Sequence, residues 1–205
     1  MNTLRTSYIA WALAATTTIL ALVAWLPSIN TKPTAYDVSA ILGLVAFGLM
    51  WGHYVSGAVR RTMGDSQQSL QTYYQATSYV VLVSILLHPA IFYSALFRDG
   101  LGLPPQSFLS VYTDAPERIA ISMGTAAFFT FLLFELKRWY KQKSWWYIVE
   151  WANIVAMLFI LWHGFKLGGE AGSGWFVTIW TLYAISFVAA VAYNHHYDAK
   201  QPQKA

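Results

Sequence analysis

The 205-residue chain contains no cysteine. Without a thiol it can form no disulfide, hold no iron–sulfur cluster, offer no thiolate to a metal and attach no haem through a CxxCH motif. Any metal ion must therefore be held by histidine, methionine or oxygen ligands.

Charged residues are also scarce. They make up 11% of the chain, whereas 57% of the residues are hydrophobic. This composition is too apolar for a soluble domain with a hydrated surface, so the sequence predicts an integral membrane protein. The net charge of +4 is then attributed to membrane topology and to anionic lipid headgroups, and no nucleic-acid partner is expected.

Apolar runs long enough to cross a bilayer, about 20 residues each, occur six times. They extend approximately over Tyr8–Leu26, Tyr36–Ser56, Tyr73–Phe97, Glu117–Leu136, Trp145–Leu167 and Trp175–Tyr193. The predicted fold class is therefore all-α, a polytopic six-transmembrane-helix bundle. We expect one transmembrane domain over residues 1–205, with a frayed polar tail over about 198–205.

The cations are distributed unequally between the two sides that six crossings define. One side carries both termini and nine cations: Arg5, Arg60, Arg61, Lys137, Arg138, Lys141, Lys143, Lys200 and Lys204. The other carries four: Lys32, Arg98, Arg118 and Lys166. Because positive charge is enriched on the cytoplasmic side, this bias predicts cytoplasmic termini.

The connections between the spans are short. The longest runs from Arg98 to Pro116, so no attached soluble domain is expected, and no G-x-G-x-x-G motif follows a strand. The run "DAPE", residues 114–117, offers a helix N-cap and a proline in the first turn. It predicts the start of the fourth span.

Two histidines stand out, His88 in "LLHPAIF" and His163 in "LWHGFKLGG". At 1.5 Å per residue they lie roughly 22 Å and 25 Å along the third and fifth spans, which run in the same direction. Two imidazoles at similar depth can coordinate a flat tetrapyrrole from its two axial faces. His88 and His163 are therefore the candidate iron ligands.

A second interpretation stays open for both rings. A buried membrane histidine can form a helix–helix hydrogen bond, and His88 could donate to a carbonyl freed by Pro89, which lacks an N–H. The chain would then be a non-redox membrane protein: a small transporter, a channel or an assembly factor. His88 and His163 would serve there as packing or proton-relay groups.

Residues beside these histidines fit a haem. Gly164 would leave room for the macrocycle, and Lys166 and Arg98 could pair with its propionates or act as interfacial anchors. His53 lies beside a face of small residues that indicates close helix packing, and its ring is expected to extend to the membrane interface or to bond a neighbouring carbonyl. His195 and His196 are expected to be solvated.

The segments "VRRTMGDSQQSL…YYQATSYVVLVSILLHP" and "SWWYIVEWANIVAMLFILWHGFKLG" resemble the ferric-reductase-like transmembrane domain. That domain is the six-helix haem module of NADPH oxidases and six-transmembrane metalloreductases. It is also that of the haem-binding subunit of the periplasmic methionine sulfoxide reductase system. The similarity is strongest over residues 58–168 and rests on the Arg-Arg-x-x-Gly turn, the two histidines and the tryptophan-led fifth span. It implies a bacterial inner-membrane location.

Two-haem members of this family carry one further histidine on each ligand-bearing helix, where this chain has Tyr74 and Glu150. The resemblance therefore implies a single haem b on the outer side. Glu150 could meet Arg60, Arg61, His53 or water. It would then act either as a proton carrier, with Tyr74 and Gln75 beside a quinone or flavin, or as an interfacial acid.

Two histidine ligands leave iron no open position, so the expected function is outer-sphere electron transfer. Electrons would arrive from a quinol or a separate flavoprotein on the cytoplasmic side. They would leave to an extracytoplasmic acceptor or partner subunit. The chain would be an oxidoreductase subunit or a stand-alone cytochrome, and the sequence leaves open whether it forms a homo-oligomer.

Overall fold

A computed structural model describes residues 2–29, 32–136, 140, 142–172 and 174–200. Within these ranges the chain is helical and contains no strand. The α-helices are α1 (Asn2–Trp25), α2 (Ala35–Met63), α3 (Gln71–Arg98), α4 (Gln106–Val111), α5 (Ala115–Glu135), α6 (Trp146–Leu167) and α7 (Phe176–Lys200). Two short 3-10 helices, Leu26–Ser28 and Gln67–Leu70, precede the loop to α2 and the start of α3.

Six of these helices are long and apolar enough to cross a membrane: α1, α2, α3, α5, α6 and α7. The predicted number of spans is confirmed, as is the all-helical class. Most of the spanning helices extend beyond the predicted apolar runs, most clearly α2, which continues from Ser56 to Met63, whereas α6 stays within its run. In α7 the helix is described as far as Lys200, and residues 201–205 lie outside the described part.

The chain divides into two compact units. The first comprises residues 1–92 and 181–205, and the second comprises residues 93–180. His88, Tyr74 and His53 belong to the first unit, and His163 and Glu150 belong to the second. The prediction of one domain over the whole chain stays a prediction.

In the first unit α1 and α2 pack with opposite directions. Near the start of α1 the Thr6 hydroxyl contacts the buried carboxylate of Asp65, just after α2. At the other end the Trp25 indole N–H donates to the carbonyl of Asp37 over 2.7 Å. These two contacts fix the register of α1 on α2.

Local signals set both ends of α2. The Thr34 side chain accepts from the Asp37 N–H while the Asp37 carboxylate accepts from the Thr34 N–H, which is a complete capping box. At the other end Gly64 adopts φ 67° and its N–H bonds the carbonyl of Arg61. Since few residues other than glycine adopt positive φ, Gly64 ends the helix after its two arginines.

In the second unit α5 packs against α6. The Phe134 and Trp146 rings meet at 6.0 Å where α5 ends and α6 begins, and Ala127 and Met157 are fully buried. The predicted start of the fourth span is confirmed, because the Asp114 side chain accepts from the Glu117 N–H over 2.9 Å. This cap lies six residues before Ala120, whose carbonyl contributes to the candidate site.

We predict that Asp114→Ala destabilises the first turn of α5 by about 1 kcal/mol, since the N–H groups there lose their side-chain acceptor. Backbone hydrogen exchange of Glu117 and Arg118 would then accelerate roughly fivefold. Asp114→Asn is the matched control, because asparagine caps about as well as aspartate. Equal exchange in the two variants would contradict the capping role.

Candidate functional site

The His88 ring lies against α2 within the first unit. Its Nδ1 is 2.7 Å from the main-chain carbonyl oxygen of Ser39. A carbonyl only accepts, so Nδ1 must carry the proton and donate. In the neutral ring the lone pair therefore lies on Nε2.

Ser39 holds His88 through its side chain as well. The Ser39 hydroxyl is 3.1 Å from Nδ1 and donates to the main-chain carbonyl of His88 over 2.9 Å. Ser39 is buried, with 2% of its surface exposed. Ser39 thus contacts both the ring and the backbone of His88, and so holds this part of α3 against α2.

Gly43, four residues after Ser39, leaves the space that the His88 ring needs to reach the Ser39 carbonyl. A Cβ at Gly43 would lie 3.1 Å from both Cε1 and Nδ1 of His88, closer than ordinary packing. In an α-helix the side chain at i+4 lies near the carbonyl at i. The missing side chain therefore exposes the Ser39 carbonyl to the imidazole.

The second unit repeats this arrangement around His163. Its Nδ1 is 3.0 Å from the carbonyl oxygen of Ala120 on α5. A Cβ at Gly124, four residues after Ala120, would lie 2.4 Å from Nδ1. His163 therefore also donates through Nδ1, to a carbonyl that a glycine leaves accessible.

The two helix pairs share sequence as well as geometry. "GLVAF" (43–47) on α2 matches "GTAAF" (124–128) on α5, and "ILLH" (85–88) on α3 matches "ILWH" (160–163) on α6. Each histidine lies 17 residues after the first residue of its helix, Gln71 or Trp146. These matches are difficult to recognise from the sequence alone, since their residues are divided between two helices.

The acceptor of the His88 ring differs from the carbonyl freed by Pro89 that the packing interpretation suggested. Pro89 lies inside α3, and its missing N–H would free a carbonyl on that helix. His88 instead donates to Ser39 on α2. The hydrogen bond between helices that the packing interpretation requires is present at both histidines.

The space beside Gly164 is used by a neighbouring ring. A Cβ at Gly164 would lie 2.5 Å from Cζ2 of Trp180, and the Trp180 indole N–H donates to the Leu161 carbonyl over 3.0 Å. On this face the missing side chain admits the indole. Whether another face of Gly164 adjoins a macrocycle stays a prediction.

The predicted propionate partners have other contacts. The Lys166 ammonium lies over the rings of Trp162 and Phe165, 5.1 Å and 5.7 Å from their centroids. The Arg98 guanidinium is 3.4 Å from the carboxylate of Asp99, and both side chains are largely exposed. Lys166 is thus held by cation–π contacts, which suit an interfacial anchor.

Tyr74 and Glu150 lie in different surroundings. Tyr74 belongs to the first unit and is partly buried; its hydroxyl is 3.3 Å from the carbonyl of His53. Glu150 lies exposed on α6 in the second unit. The Arg61 guanidinium, a proposed partner of Glu150, makes its ion pair with Asp198 at 2.6 Å.

The remaining histidines are partly as expected. His195 and His196 are exposed on α7, which is consistent with the solvated interpretation. His53 bonds a side chain where a carbonyl was expected, since its Nε2 is 2.6 Å from the Thr77 hydroxyl oxygen. Within the described residues no group of three or more histidine, aspartate or glutamate side chains converges as a metal site.

No family model, curated protein or solved structure matches the chain. The resemblance to the ferric-reductase-like domain therefore rests on the quoted segments alone.

Proposed function

We propose that the chain is a b-type haem membrane cytochrome in which His88 and His163 would hold the haem iron. It would transfer electrons across the cell membrane as a reductase subunit or a stand-alone carrier. The observation that supports this most is the matched hydrogen bond of the two rings, each from Nδ1 to a helix carbonyl.

That hydrogen bond suits metal ligation. Histidines that bind metals commonly donate their other ring N–H to a carbonyl or carboxylate, which fixes the tautomer and the ring orientation. Both rings here have the tautomer that carries its lone pair on Nε2. When bound, haem b supplies a one-electron couple, and two imidazole ligands leave the iron no open position.

Cations near the ligand-bearing helix ends suit the haem carboxylates. Lys166 lies less than one turn after His163, and Arg98 ends α3. We propose that they pair with the carboxylates, Arg98 by exchanging its contact with the exposed Asp99. Their present contacts also fit the anchoring role.

The distribution of cations supports the orientation on which the proposed direction of electron transfer rests. The excess on the terminus-bearing side supports cytoplasmic termini in a bacterial-type inner membrane, although Lys137, Arg138, Lys141 and Lys204 lie outside the described residues. On this basis a quinol or a flavoprotein donates from the cytoplasm, and an acceptor or partner subunit receives outside. Tyr74 and Glu150 remain the residues proposed beside an inner quinone or flavin.

One observation favours the alternative class. Both histidines already form hydrogen bonds between helices, and such bonds stabilise membrane helix packing without any cofactor. In a non-redox transporter, channel or assembly factor these bonds would be the whole function of His88 and His163. The two classes differ in whether the purified protein carries haem.

We predict that the purified protein is red and that dithionite sharpens its absorption bands, as for a six-coordinate b-type haem. His88→Ala and His163→Ala should each lose the pigment, because a ligand is removed, whereas His53→Ala should keep it. Absorption spectra and pyridine haemochrome assays of equal protein amounts measure this. A colourless wild-type protein that also fails to take up added hemin would sink the haem proposal.

A second prediction concerns the glycines that face the two rings. Gly124→Ala should displace the His163 ring, since a Cβ there meets Nδ1 at 2.4 Å. Overpacking of this kind costs about 1–3 kcal/mol, which corresponds to a loss in haem affinity of roughly five- to 150-fold. Gly43→Ala should have the smaller effect, because its Cβ would lie at 3.1 Å.

Gly169→Ala is the control for these variants, since a Cβ at Gly169 meets no atom within 4 Å. Hemin titration of the apoprotein gives the affinities of all three. Equal affinities for Gly124→Ala and Gly169→Ala would show that the His163 ring position does not determine haem binding.

A further inference from the structure

Ser39 distinguishes the surroundings of His88 from those of His163. The two rings contact matched helix segments, "SAILGLVAF" (39–47) on α2 and "AISMGTAAF" (120–128) on α5. The accessible carbonyl and the glycine four residues later are common to both segments. The residue that contributes the carbonyl differs, because α5 has Ala120 where α2 has Ser39. This position can therefore offer a hydroxyl to His88 but not to His163.

The Ser39 hydroxyl is directed across to the neighbouring helix. Serine hydroxyls within a helix commonly bond the carbonyl one turn earlier on their own helix. Ser122 on α5 does so, since it donates to the Arg118 carbonyl over 2.8 Å. Ser39 instead donates to the main-chain carbonyl of His88 on α3 over 2.9 Å. Its single proton is then committed, so the Ser39 oxygen can only accept from other donors.

The Nδ1–H of His88 therefore meets two acceptors on one residue. The Ser39 carbonyl oxygen lies 2.7 Å from Nδ1 and the Ser39 hydroxyl oxygen 3.1 Å from it. Both distances lie within the range of N–H···O hydrogen bonds. His88 and Ser39 thus bond each other in both directions: the ring donates to the serine, and the serine donates to the histidine backbone.

The surroundings keep this reciprocal pair dry. Ser39 is 2% exposed, so little water can reach the hydroxyl. A buried hydrogen bond is stronger than one in water, and a partner that is lost there is not replaced by solvent. Two bonds in opposite directions therefore restrict rotation of the His88 ring more than the carbonyl contact does by itself.

Donation from Nδ1 changes the other nitrogen of the ring. A hydrogen bond from this N–H moves electron density into the imidazole and makes Nε2 more basic. A more basic ligand favours ferric over ferrous haem, because the higher charge of the iron gains more from it. The Ser39 hydroxyl adds a second acceptor and so adds to this effect at His88.

We infer that Ser39 is a positioning residue that acts on a bound haem through His88. It holds the ring in one orientation and lowers the reduction potential of the haem. Ala120, at the matching position on α5, makes no such contribution to His163. The inference rests on the proposed haem function and adds a residue that controls the potential of the same site.

Ser39→Ala in the haem-loaded full chain tests this role. The preference of the site for ferric over ferrous haem should fall roughly threefold, which raises the midpoint potential by about 30 mV. Haem content should stay at the wild-type level, since both imidazoles remain. A redox titration followed by absorption spectroscopy measures the potential.

Two further variants are matched to Ser39→Ala. Ala120→Ser places a hydroxyl beside His163 and should lower the midpoint potential. Ser122→Ala removes an exposed hydroxyl that bonds its own helix, and it should leave the potential unchanged. A red Ser39→Ala protein with the same potential as the wild type and Ser122→Ala would overturn the inference while the haem proposal stands.

A second measurement reads the contact itself and does not need haem. The full chain carrying isotope-labelled histidine is reduced with dithionite, which keeps any six-coordinate haem iron diamagnetic, and its ring N–H resonances are recorded by NMR. Ser39→Ala should move the His88 Nδ1–H resonance upfield, since one acceptor is lost, and should leave that of His163 in place. An unmoved His88 resonance would overturn the inference. A moved resonance in a colourless protein would show that Ser39 holds the ring and that the cytochrome proposal has failed.

Discussion

The imidazoles of His88 and His163 each donate a hydrogen bond to a main-chain carbonyl that a nearby glycine leaves accessible. Helix carbonyls are already bonded within their own helix, but the oxygen has a second lone pair that can accept from elsewhere. A ring from a neighbouring helix can approach this oxygen closely where the residue one turn later is glycine, as at Gly43 and Gly124. In an apolar chain a ring nitrogen without an acceptor would be costly, so these two contacts help to hold α3 against α2 and α6 against α5.

The structure assigns opposite tautomers to histidines in different positions. His88 and His163 donate through Nδ1 and present a basic Nε2, whereas His53 donates through Nε2 and presents a basic Nδ1. The acceptor that each ring meets decides this difference: a helix carbonyl in two cases and, in the third, the Thr77 hydroxyl, whose own proton is donated to the Tyr73 carbonyl. The same residue type thus presents a different ring nitrogen to its surroundings according to the acceptor that it meets.

The number of long apolar helices could be predicted from the sequence, because the thickness of the hydrocarbon core sets the minimum length of each spanning helix. The start of α5 was predictable from a local cap. The end of α2 was missed because the apolar run stops near Ser56, whereas the helix stops only where Gly64 permits positive φ. The histidines were found because ionisable rings are conspicuous in apolar runs.

Their partners could not be predicted in the same way. Ser39 and Ala120 contribute main-chain oxygens, which have no side-chain signature, and a single helix does not reveal which neighbour it faces. Arg61 and Asp198 are 137 residues apart, so no local pattern pairs them. The two "G-x-x-A-F" segments indicate a contact with a histidine only when the structure places Gly43 against His88 and Gly124 against His163.

Trp180 links the start of α7 to the position of one candidate ligand. Its indole N–H is bonded to the carbonyl of Leu161, two residues before His163, and its ring fills the space beside Gly164, one residue after. The turn of α6 that bears the imidazole is thus held on both sides by one side chain. Any movement of the start of α7 would therefore reach the turn that bears His163 through the indole of Trp180.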